Sequence, residues 1–258
     1  MKFLIFGLPY RNSSAGIRVL HRLGDELKKL GCNAFVFTEW KQSAQLIPHI
    51  GDCIVIYPES VRGNPLCAKN VVRYVLNTPG YLGLSDSVYP DSELVFVYNE
   101  ALIPATQAAT SQVIDKSRIM EISVLEPWLF KPNPEVEKVY DAAYWVGKGV
   151  FMLEKTNPEV AKYLEGKKFV QITYQLPSTR EALALLFQSC REFVTVDNFT
   201  AMLAESRLCG CKAVIIGENG PIEPTDDVGH WRTKWYETDC IRNFVGLCQH
   251  RFEASAAA

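Results

Sequence analysis

The stretch that decides the fold is residues 192–217, Glu-Phe-Val-Thr-Val-Asp-Asn-Phe-Thr-Ala-Met-Leu-Ala-Glu-Ser-Arg-Leu-Cys-Gly-Cys-Lys-Ala-Val-Ile-Ile-Gly. Its β-rich start, Phe193–Val196, predicts a strand that ends at Asp197-Asn198. An apolar helical face follows, Gly210 suits the left-handed position after a helix, and residues 213–216 predict a second buried strand. This order of strand, helix and strand is typical of parallel α/β sheets.

The start of the predicted helix is a candidate anion site. Asn198 or Thr200 would cap the helix by accepting a hydrogen bond from one of its free N–H groups. A helix that begins just past the carboxyl end of a parallel strand offers N–H donors and the positive end of its dipole. We therefore predict that Asn198, Phe199 and Thr200 surround a bound phosphate.

Glu205 lies eight residues after Asp197, about two helical turns from the mouth formed by the strand end. A carboxylate there can accept two hydrogen bonds from vicinal hydroxyls, such as those of a ribose. Together with a phosphate at the helix start, this arrangement describes a nucleotide-sugar pocket. Two readings stay open: Glu205 binds a ribose, or Glu205 is a solvated helix residue and Asp197 an ordinary turn former.

The run Asp197-x7-Glu205, followed by Ser-Arg-Leu-Cys-Gly-Cys-Lys-Ala-Val-Ile, resembles the Glu-x7-Glu region of retaining GT-B glycosyltransferases. The resemblance implies that Glu205 holds the ribose of the donor and that Asp197 contacts the transferred sugar. Upstream, Tyr144-Trp145-Val146-Gly147-Lys148-Gly149 is similar to the first strand and loop of that family's second domain. Gly147 and Lys148 would therefore lie at the donor diphosphate, with Lys148 as the basic residue of the loop.

Pro177–Glu181 begins a further predicted helix after the strand Phe169–Thr173, in the part of the chain that resembles the donor domain. Ser178 and Glu181 are three residues apart, which is the spacing of a capping box. We take Ser178 as a candidate donor contact.

The loop Gly7–Gly16 precedes the first predicted helix. In the family, the equivalent loop faces the cleft, so the resemblance implies that Ser13, Ser14 and Gly16 approach the donor phosphate or the acceptor. A capped helix start is the other reading of this loop, and both can hold. The loop is not Gly-x-Gly-x-x-Gly, which disfavours a nicotinamide or flavin site.

The pattern along the chain predicts an α/β protein in two halves. A helix is expected from about Ala15 to Leu30, and the proline-bearing segment Glu126–Glu137 is the predicted linker before a second βα series that starts at Ala142. In the first half, strands are predicted at Lys2–Phe6, Ala34–Phe37, Cys53–Tyr57, Leu94–Tyr98 and Ile119–Val124, and Asn70–Leu76 is a strand or a short helix.

We expect residues 1–128 to form an N-terminal Rossmann-like acceptor domain and residues 138–240 a C-terminal Rossmann-like nucleotide-sugar donor domain. The resemblance implies the GT-B plan, in which two such domains with parallel sheets face each other and the donor lies in the cleft. The amphipathic segment Trp235–Phe252 would be the helix that crosses to the first domain in that fold. Residues 241–258 are accordingly expected to form a C-terminal helix and tail.

Length and charge bound the class of protein. The 258 residues suit one large domain or two compact ones. Because 27 Lys and Arg are balanced by 29 Asp and Glu, no basic surface for nucleic acid is indicated. The sequence contains no run of eighteen apolar residues, so no membrane-spanning helix is predicted. The short apolar start is interpreted as a strand rather than as a signal peptide. We therefore expect a cytoplasmic protein.

Eight cysteines are present, at positions 32, 53, 67, 190, 209, 211, 240 and 248. None forms a Cys-x2-Cys pair, so we expect free thiols rather than a zinc site. No Asp-x-Asp run indicates a metal-bound donor, and no metal ligand is assigned.

The resemblance implies a retaining, metal-independent glycosyltransferase of carbohydrate biosynthesis, with Lys148, Asp197 and Glu205 as its catalytic residues. It would need no cofactor beyond a nucleotide-diphosphate sugar as the donor substrate, and its acceptor would be a glycan, a lipid or another acceptor. A lipid-linked acceptor would add peripheral contact with a membrane. The alternatives are a nucleotide-sugar epimerase or phosphorylase on the same fold, and a nucleotide-binding or partner-binding module without catalysis.

Overall fold

The structure is a computed structural model and describes residues 1–39, 41, 43–81, 86–147, 153–224 and 239–252. The chain divides into two compact units. The first consists of Met1–Arg11, Gly16–Ile122 and Tyr236–Ala258, and the second of Asn12–Ala15 and Ser123–Trp235. Each unit contains its own sheet of mostly parallel strands, so the predicted α/β class with two Rossmann-like sheets is confirmed at that level.

The first unit is built on a five-stranded parallel sheet. Its strands are β1 (Lys2–Phe6), β2 (Asn33–Phe37), β3 (Ile54–Pro58), β4 (Asn70–Val75) and β5 (Leu94–Val97). Its first helices are α1 (Ala15–Lys29), α2 (Ser43–Ile50) and α3 (Ile103–Gln107), with short 3-10 turns at Glu100–Leu102 and Lys116–Arg118. The strand order is β2-β1-β3-β4-β5, so the direction of winding reverses between β1 and β3.

The second unit repeats this order. Its strands are β6 (Tyr140–Trp145), β7 (Phe169–Gln171), β8 (Cys190–Thr195), β9 (Lys212–Gly217) and β10 (Gly220–Ile222), and its helices are α4 (Leu153–Leu164), α5 (Arg180–Ser189) and α6 (Met202–Leu208). The sheet order is β10-β9-β8-β6-β7, in which β10 is antiparallel to β9 and the other neighbours are parallel. Winding therefore reverses between β6 and β8.

Side chains of the second sheet alternate between two cores, as the period of a strand requires. Ala143, Trp145 and Phe193 face one core, which also contains the apolar residues of α5 and α6. Ala142 and Val194 face the other core, to which α4 contributes. Helices thus cover both faces of this sheet, and the last three residues of both β6 and β8 are buried.

The last helix, α7 (Asp239–Phe252), belongs to the first unit. The ring of Phe244 is fully buried, with its centroid 5.7 Å from that of Phe3 and 4.9 Å from that of Phe96. The side-chain amide of Asn243 also donates to the carbonyl of Ser117 at 2.7 Å. The core of the first unit is therefore completed by a segment that follows the second unit in the chain.

One predicted strand is wrong. Ile119–Val124 forms no strand in the structure and only a single parallel bridge, from Ile119 to Val97. The hydroxyl of Tyr74 donates to the carbonyl of Met120, and that of Tyr98 donates to the carbonyl of Ile122 at 3.3 Å. Tyrosine hydroxyls therefore occupy carbonyls that a longer strand would have offered to a neighbour.

The undecided segment Asn70–Leu76 is a strand, β4, and the proline-bearing segment Glu126–Glu137 contains neither helix nor strand. Of the predicted final segment, residues 235–238 and 253–258 lie outside the described residues. Among the helices within the described ranges, none has the length and apolar content needed to cross a membrane.

Candidate functional site

The carboxyl ends of β6 and β8 mark the point where winding reverses in the second sheet. Ligands of open α/β sheets bind in the crevice at such a point. Val146-Gly147 follows β6, and Val196-Asp197 follows β8. The topology therefore brings two residues predicted as donor contacts, Gly147 and Asp197, to the same edge of the sheet.

Gly147 and Asp197 lie close together. Gly147 is buried and has a φ of +54°, in the left-handed region that glycine adopts readily. A Cβ atom at this position would collide with Nε1 of Trp145 and would stand 2.5 Å from Oδ2 of Asp197. A side chain at position 147 would thus collide with the carboxylate, so glycine is required by both conformation and space.

Asp197 forms the turn after β8, and its carboxylate is buried. Its backbone N–H donates to Oγ1 of Thr195 at 3.0 Å, and its own Oδ1 accepts from the N–H of Phe199 at 3.0 Å. The residue is 4% exposed. Oδ1 therefore holds the turn while Oδ2 points to the space beside Gly147.

The start of α6 offers fewer free donors than the sequence predicts. The N-cap position is Ala201, which makes no side-chain cap, while Oγ1 of Thr200 accepts from the N–H of Met202 at 3.3 Å. Two N–H groups of this segment, those of Phe199 and Met202, therefore bond within the turn. Asn198 is exposed, as is the ring of Phe199.

Glu205 is fully buried in α6, and the reading of it as a solvated helix residue is wrong. Nη2 of Arg180 donates to its Oε1 at 2.6 Å. A buried carboxylate needs such a partner, because an uncompensated charge away from water is costly. Any ribose contact by Glu205 is therefore made by a carboxylate that is already fixed on one side.

Arg180 is a site residue that the sequence reasoning missed. It opens α5 and is 6% exposed, its Nε donates to Oε2 of Glu126 at 2.7 Å, and its guanidinium lies 4.4 Å from the ring centroid of Phe130. Burial by itself would lower the pKa of Arg180, but Glu205 and Glu126 raise it above its ordinary value.

The periodicity of α5 contains the signal for this residue. The buried positions 180, 183, 184 and 187 form one helical stripe, and its other members are Leu183, Ala184 and Phe187. An arginine on an apolar stripe is a buried charge, and a buried arginine requires acidic partners.

The cap of α5 is shifted by one residue from the prediction. Oγ1 of Thr179, not the hydroxyl of Ser178, accepts from the N–H of Ala182, at 3.1 Å. Ser178 is exposed in the loop before the helix. Adjacent hydroxyl residues give nearly the same spacing to Glu181, so the capping-box pattern alone could not separate them.

The structure gives less support to the other residues that were predicted to contact the donor. Ser14 lies in the half-buried segment Asn12–Ala15, and Gly16 lies in the first turn of α1. A Cβ atom on Gly16 would be 3.7 Å from Cδ1 of Leu76, an ordinary contact, so this position does not require glycine. Lys148 and Gly149 lie outside the described residues.

An aromatic pair stands at the same edge of the second sheet. Trp145 ends β6, and Tyr174 follows β7, which is the next strand to β6. The two rings meet edge to face at 5.1 Å, and Tyr174 is 53% exposed while Trp145 is buried. The edge that carries Gly147 and Asp197 therefore also presents an aromatic surface to solvent.

All eight cysteines are free thiols. Cys190, Cys209 and Cys211 share the core beneath α5 and α6, where burial raises the pKa of Cys190 to about 11 and those of Cys209 and Cys211 to about 12. Over the part of the chain that the structure describes, no group of three or more His, Cys, Asp or Glu is placed to hold a metal ion.

Comparison of the sequence with protein-family models gave no match, and comparison with curated proteins gave no significant one.

Proposed function

We propose that the chain is a glycosyltransferase of the retaining GT-B type, which transfers a sugar from a nucleotide-diphosphate sugar to an acceptor without a metal ion. One observation carries the proposal: a buried carboxylate, Asp197, lies against a left-handed glycine, Gly147, at the point where winding reverses in the second sheet. Glu205 follows eight residues later in the helix that begins beside this point.

Gly147 and Lys148 would serve the diphosphate. The left-handed backbone of Gly147 makes a turn after β6, and such a turn would direct the N–H groups of the following loop towards a phosphate. Lys148 follows it directly in the chain and would balance the negative charge that grows on the departing nucleoside diphosphate. A charge placed where the transition state develops charge is the largest catalytic contribution in many enzymes.

The carboxylates would serve the hydroxyl groups of the donor. An ionised carboxylate only accepts hydrogen bonds, so Asp197 suits the sugar hydroxyls. The ribose role that the resemblance implies for Glu205 requires its fully buried side chain to become accessible to the ligand. The half-exposed ring of Tyr174 beside Trp145 adds a surface on which a ring of the ligand can pack. The acceptor would be a carbohydrate or a lipid-linked carbohydrate.

A second candidate is a nucleotide-binding module that does not catalyse transfer. Two observations favour it: Glu205 is committed to an ion pair, and N–H groups at the start of α6 bond within their own turn. Both features reduce the hydrogen-bonding capacity that could stabilise charge in a transition state, which catalysis requires and binding alone does not.

The test is a thermal-shift panel of UDP, GDP, ADP, dTDP and CDP and their common sugars, without added metal, on the wild type and Asp197→Asn. We expect stabilisation by one base family, weakened for the sugar-bearing donors in Asp197→Asn. Asp52→Asn, which changes an exposed residue of the first unit, is the control and should bind as the wild type does. If no nucleotide stabilises the wild type, the proposal fails; binding without transfer to any acceptor favours the second candidate.

A further inference from the structure

A cavity of about 310 Å³ lies in the first unit, at the amino ends of β4 and β5. Two parts of the chain form its walls: the connection that leads from β3 into β4, and the residues that precede β5. The crevice in which open α/β sheets usually bind ligands lies at the opposite, carboxyl edge. Ligand sites commonly measure about 300–1,000 Å³, so this cavity is large enough for a small molecule.

A buried ion pair ties the two walls together. Arg73 of β4 is fully buried, and its Nε and Nη2 donate to the two carboxylate oxygens of Glu93 at 2.8 and 2.9 Å. The guanidinium also donates to the carbonyls of Val61 at 2.6 Å and Gly63 at 2.9 Å. A forked guanidinium holds its partners in a fixed geometry. The cavity is therefore preformed, and Glu93, balanced by Arg73, adds no net charge to it.

Two side chains of opposite charge line the cavity, one on each wall. Lys69 is exposed, and no carboxylate among the residues that the structure describes forms an ion pair with it. Asp86 accepts the N–H of Gly63 through Oδ2 at 2.5 Å, and its Oδ1 lies 3.8 Å from Nε of Arg62. A carboxylate offers about four acceptor positions, so Asp86 can accept further hydrogen bonds. The cavity thus offers a ligand one cation and one anion.

The rest of the lining is largely apolar. Ala68 and Val71 are buried, whereas Val88 and Pro90 are exposed on the other wall. Over the described ranges, no aromatic side chain lines the cavity, so it offers no ring on which a nucleobase could stack. A zwitterion that carries an apolar group matches both the charges and the apolar surface.

We propose that this cavity binds a free α-amino acid with an apolar side chain. The ammonium group of the ligand donates to Asp86, its carboxylate pairs with Lys69, and its side chain packs against Val71 and Val88. The inference goes beyond the proposed function and does not depend on it. All of these residues belong to the first unit, whereas the nucleotide is proposed to bind the second.

Isothermal titration calorimetry with L-leucine, L-leucinamide and N-acetyl-L-leucine tests the two charged contacts separately. Leucinamide lacks the carboxylate, and N-acetyl-leucine lacks the ammonium group. The wild type should bind leucine about threefold or more tightly than either analogue, because each analogue loses one partly exposed ion pair. L-glutamate should also bind more weakly than leucine, since its side-chain charge would meet the apolar lining.

Two variants assign each contact to its residue. In Lys69→Met, leucine and leucinamide should bind within about twofold of each other, while N-acetyl-leucine stays weaker. In Asp86→Asn the opposite is expected: leucine and N-acetyl-leucine bind alike, and leucinamide stays weaker. Asparagine keeps an oxygen that can accept the N–H of Gly63, so the wall is preserved. Lys116→Met and Asp52→Asn change exposed residues of the same unit and should bind all ligands as the wild type does.

The outcomes are distinct. The inference is overturned if leucine does not bind the wild type, if both analogues bind as tightly as leucine, or if Lys69→Met and Asp86→Asn keep the full discrimination. The nucleotide panel should give the same shifts in Lys69→Met and Asp86→Asn as in the wild type. Failure of amino-acid binding therefore leaves the proposed function standing, and failure of nucleotide binding leaves this inference standing.

Discussion

The Oδ2 atom of Asp197 lies 2.5 Å from the point where a Cβ atom on Gly147 would stand. The absent side chain of one residue thus makes room for the carboxylate of the other. The two positions are separated by fifty residues of sequence and come from strands that pair in parallel register. Strand pairing in the second sheet brings the two residues together, and a single methyl group added at position 147 tests their proximity.

Gly147→Ala should destabilise the second unit and abolish nucleotide binding. The substitution meets an unfavourable positive φ, at roughly 1 kcal/mol, and in addition displaces Asp197 or Trp145, for a total of about 2–4 kcal/mol. Urea unfolding and the thermal-shift panel measure the two effects. Gly166→Ala is the matched control, because Gly166 has a φ of +72° and nothing within 4 Å of its Cβ position. Equal losses in the two variants would contradict the close approach.

Glu205→Ala should cost about 3–5 kcal/mol in the free energy of unfolding, because it leaves Arg180 buried beside one remaining carboxylate. Glu223→Ala breaks the exposed pair of Glu223 with Lys212 in the same unit and should cost at most about 1 kcal/mol. Chemical denaturation of both variants checks the difference. A loss for Glu205→Ala as small as that for Glu223→Ala would show that the buried pair is not formed in solution.

Alkaline pH should weaken the second unit through its buried thiols. Folding raises the pKa of Cys190 to about 11 and that of Cys209 to about 12, whereas unfolded thiols ionise near about 8.5. The stabilisation is therefore complete below about pH 8.5 and is lost as the pH rises towards the folded values. Urea unfolding at pH 7, 9 and 10 should show this decline, and Cys209→Ala should make it shallower. Cys67→Ser, at an exposed thiol, should leave the slope unchanged.

Phe244→Ala should destabilise the first unit by about 3–5 kcal/mol, because its fully buried ring packs against Phe3 and Phe96. Phe35→Ala, in the same unit, removes a ring that is 60% exposed and should cost much less. Thermal unfolding measures both. If the two variants melt alike, α7 does not complete the core of the first unit in solution.

The regular elements of the second unit follow closely from local sequence. The β-rich run after Cys190 becomes β8, and the glycine predicted to end the next helix, Gly210, has a φ of +83°. Both depend on interactions within a few residues, such as strand preference and the freedom of glycine. Parallel pairing then brings Gly147 to Asp197, which topology rules can predict from sequence once the strands are known.

The features that sequence reasoning missed depend on partners far along the chain. The sequence does not predict the ion pairs of Arg180, because its partners Glu126 and Glu205 are 54 and 25 residues away. The wrong prediction of a strand at Ile119–Val124 also involves a distant partner, since the hydroxyl of Tyr74 in β4 donates to the carbonyl of Met120. Side-chain hydrogen bonds of this kind have no local sequence signature, whereas the burial of Arg180 does have one in the stripe of α5.

The order of elements along the chain has a consequence during synthesis on the ribosome. Phe3 and Phe96 leave the ribosome early, but Phe244 follows only after the whole of the second unit. Because domains tend to fold as they emerge, the second unit can complete its core first. The sheet of the first unit, although synthesised earlier, then still has an apolar face that α7 has not covered. We therefore expect that face of the first unit to stay exposed until Phe244 has emerged, and packing of α7 then covers it.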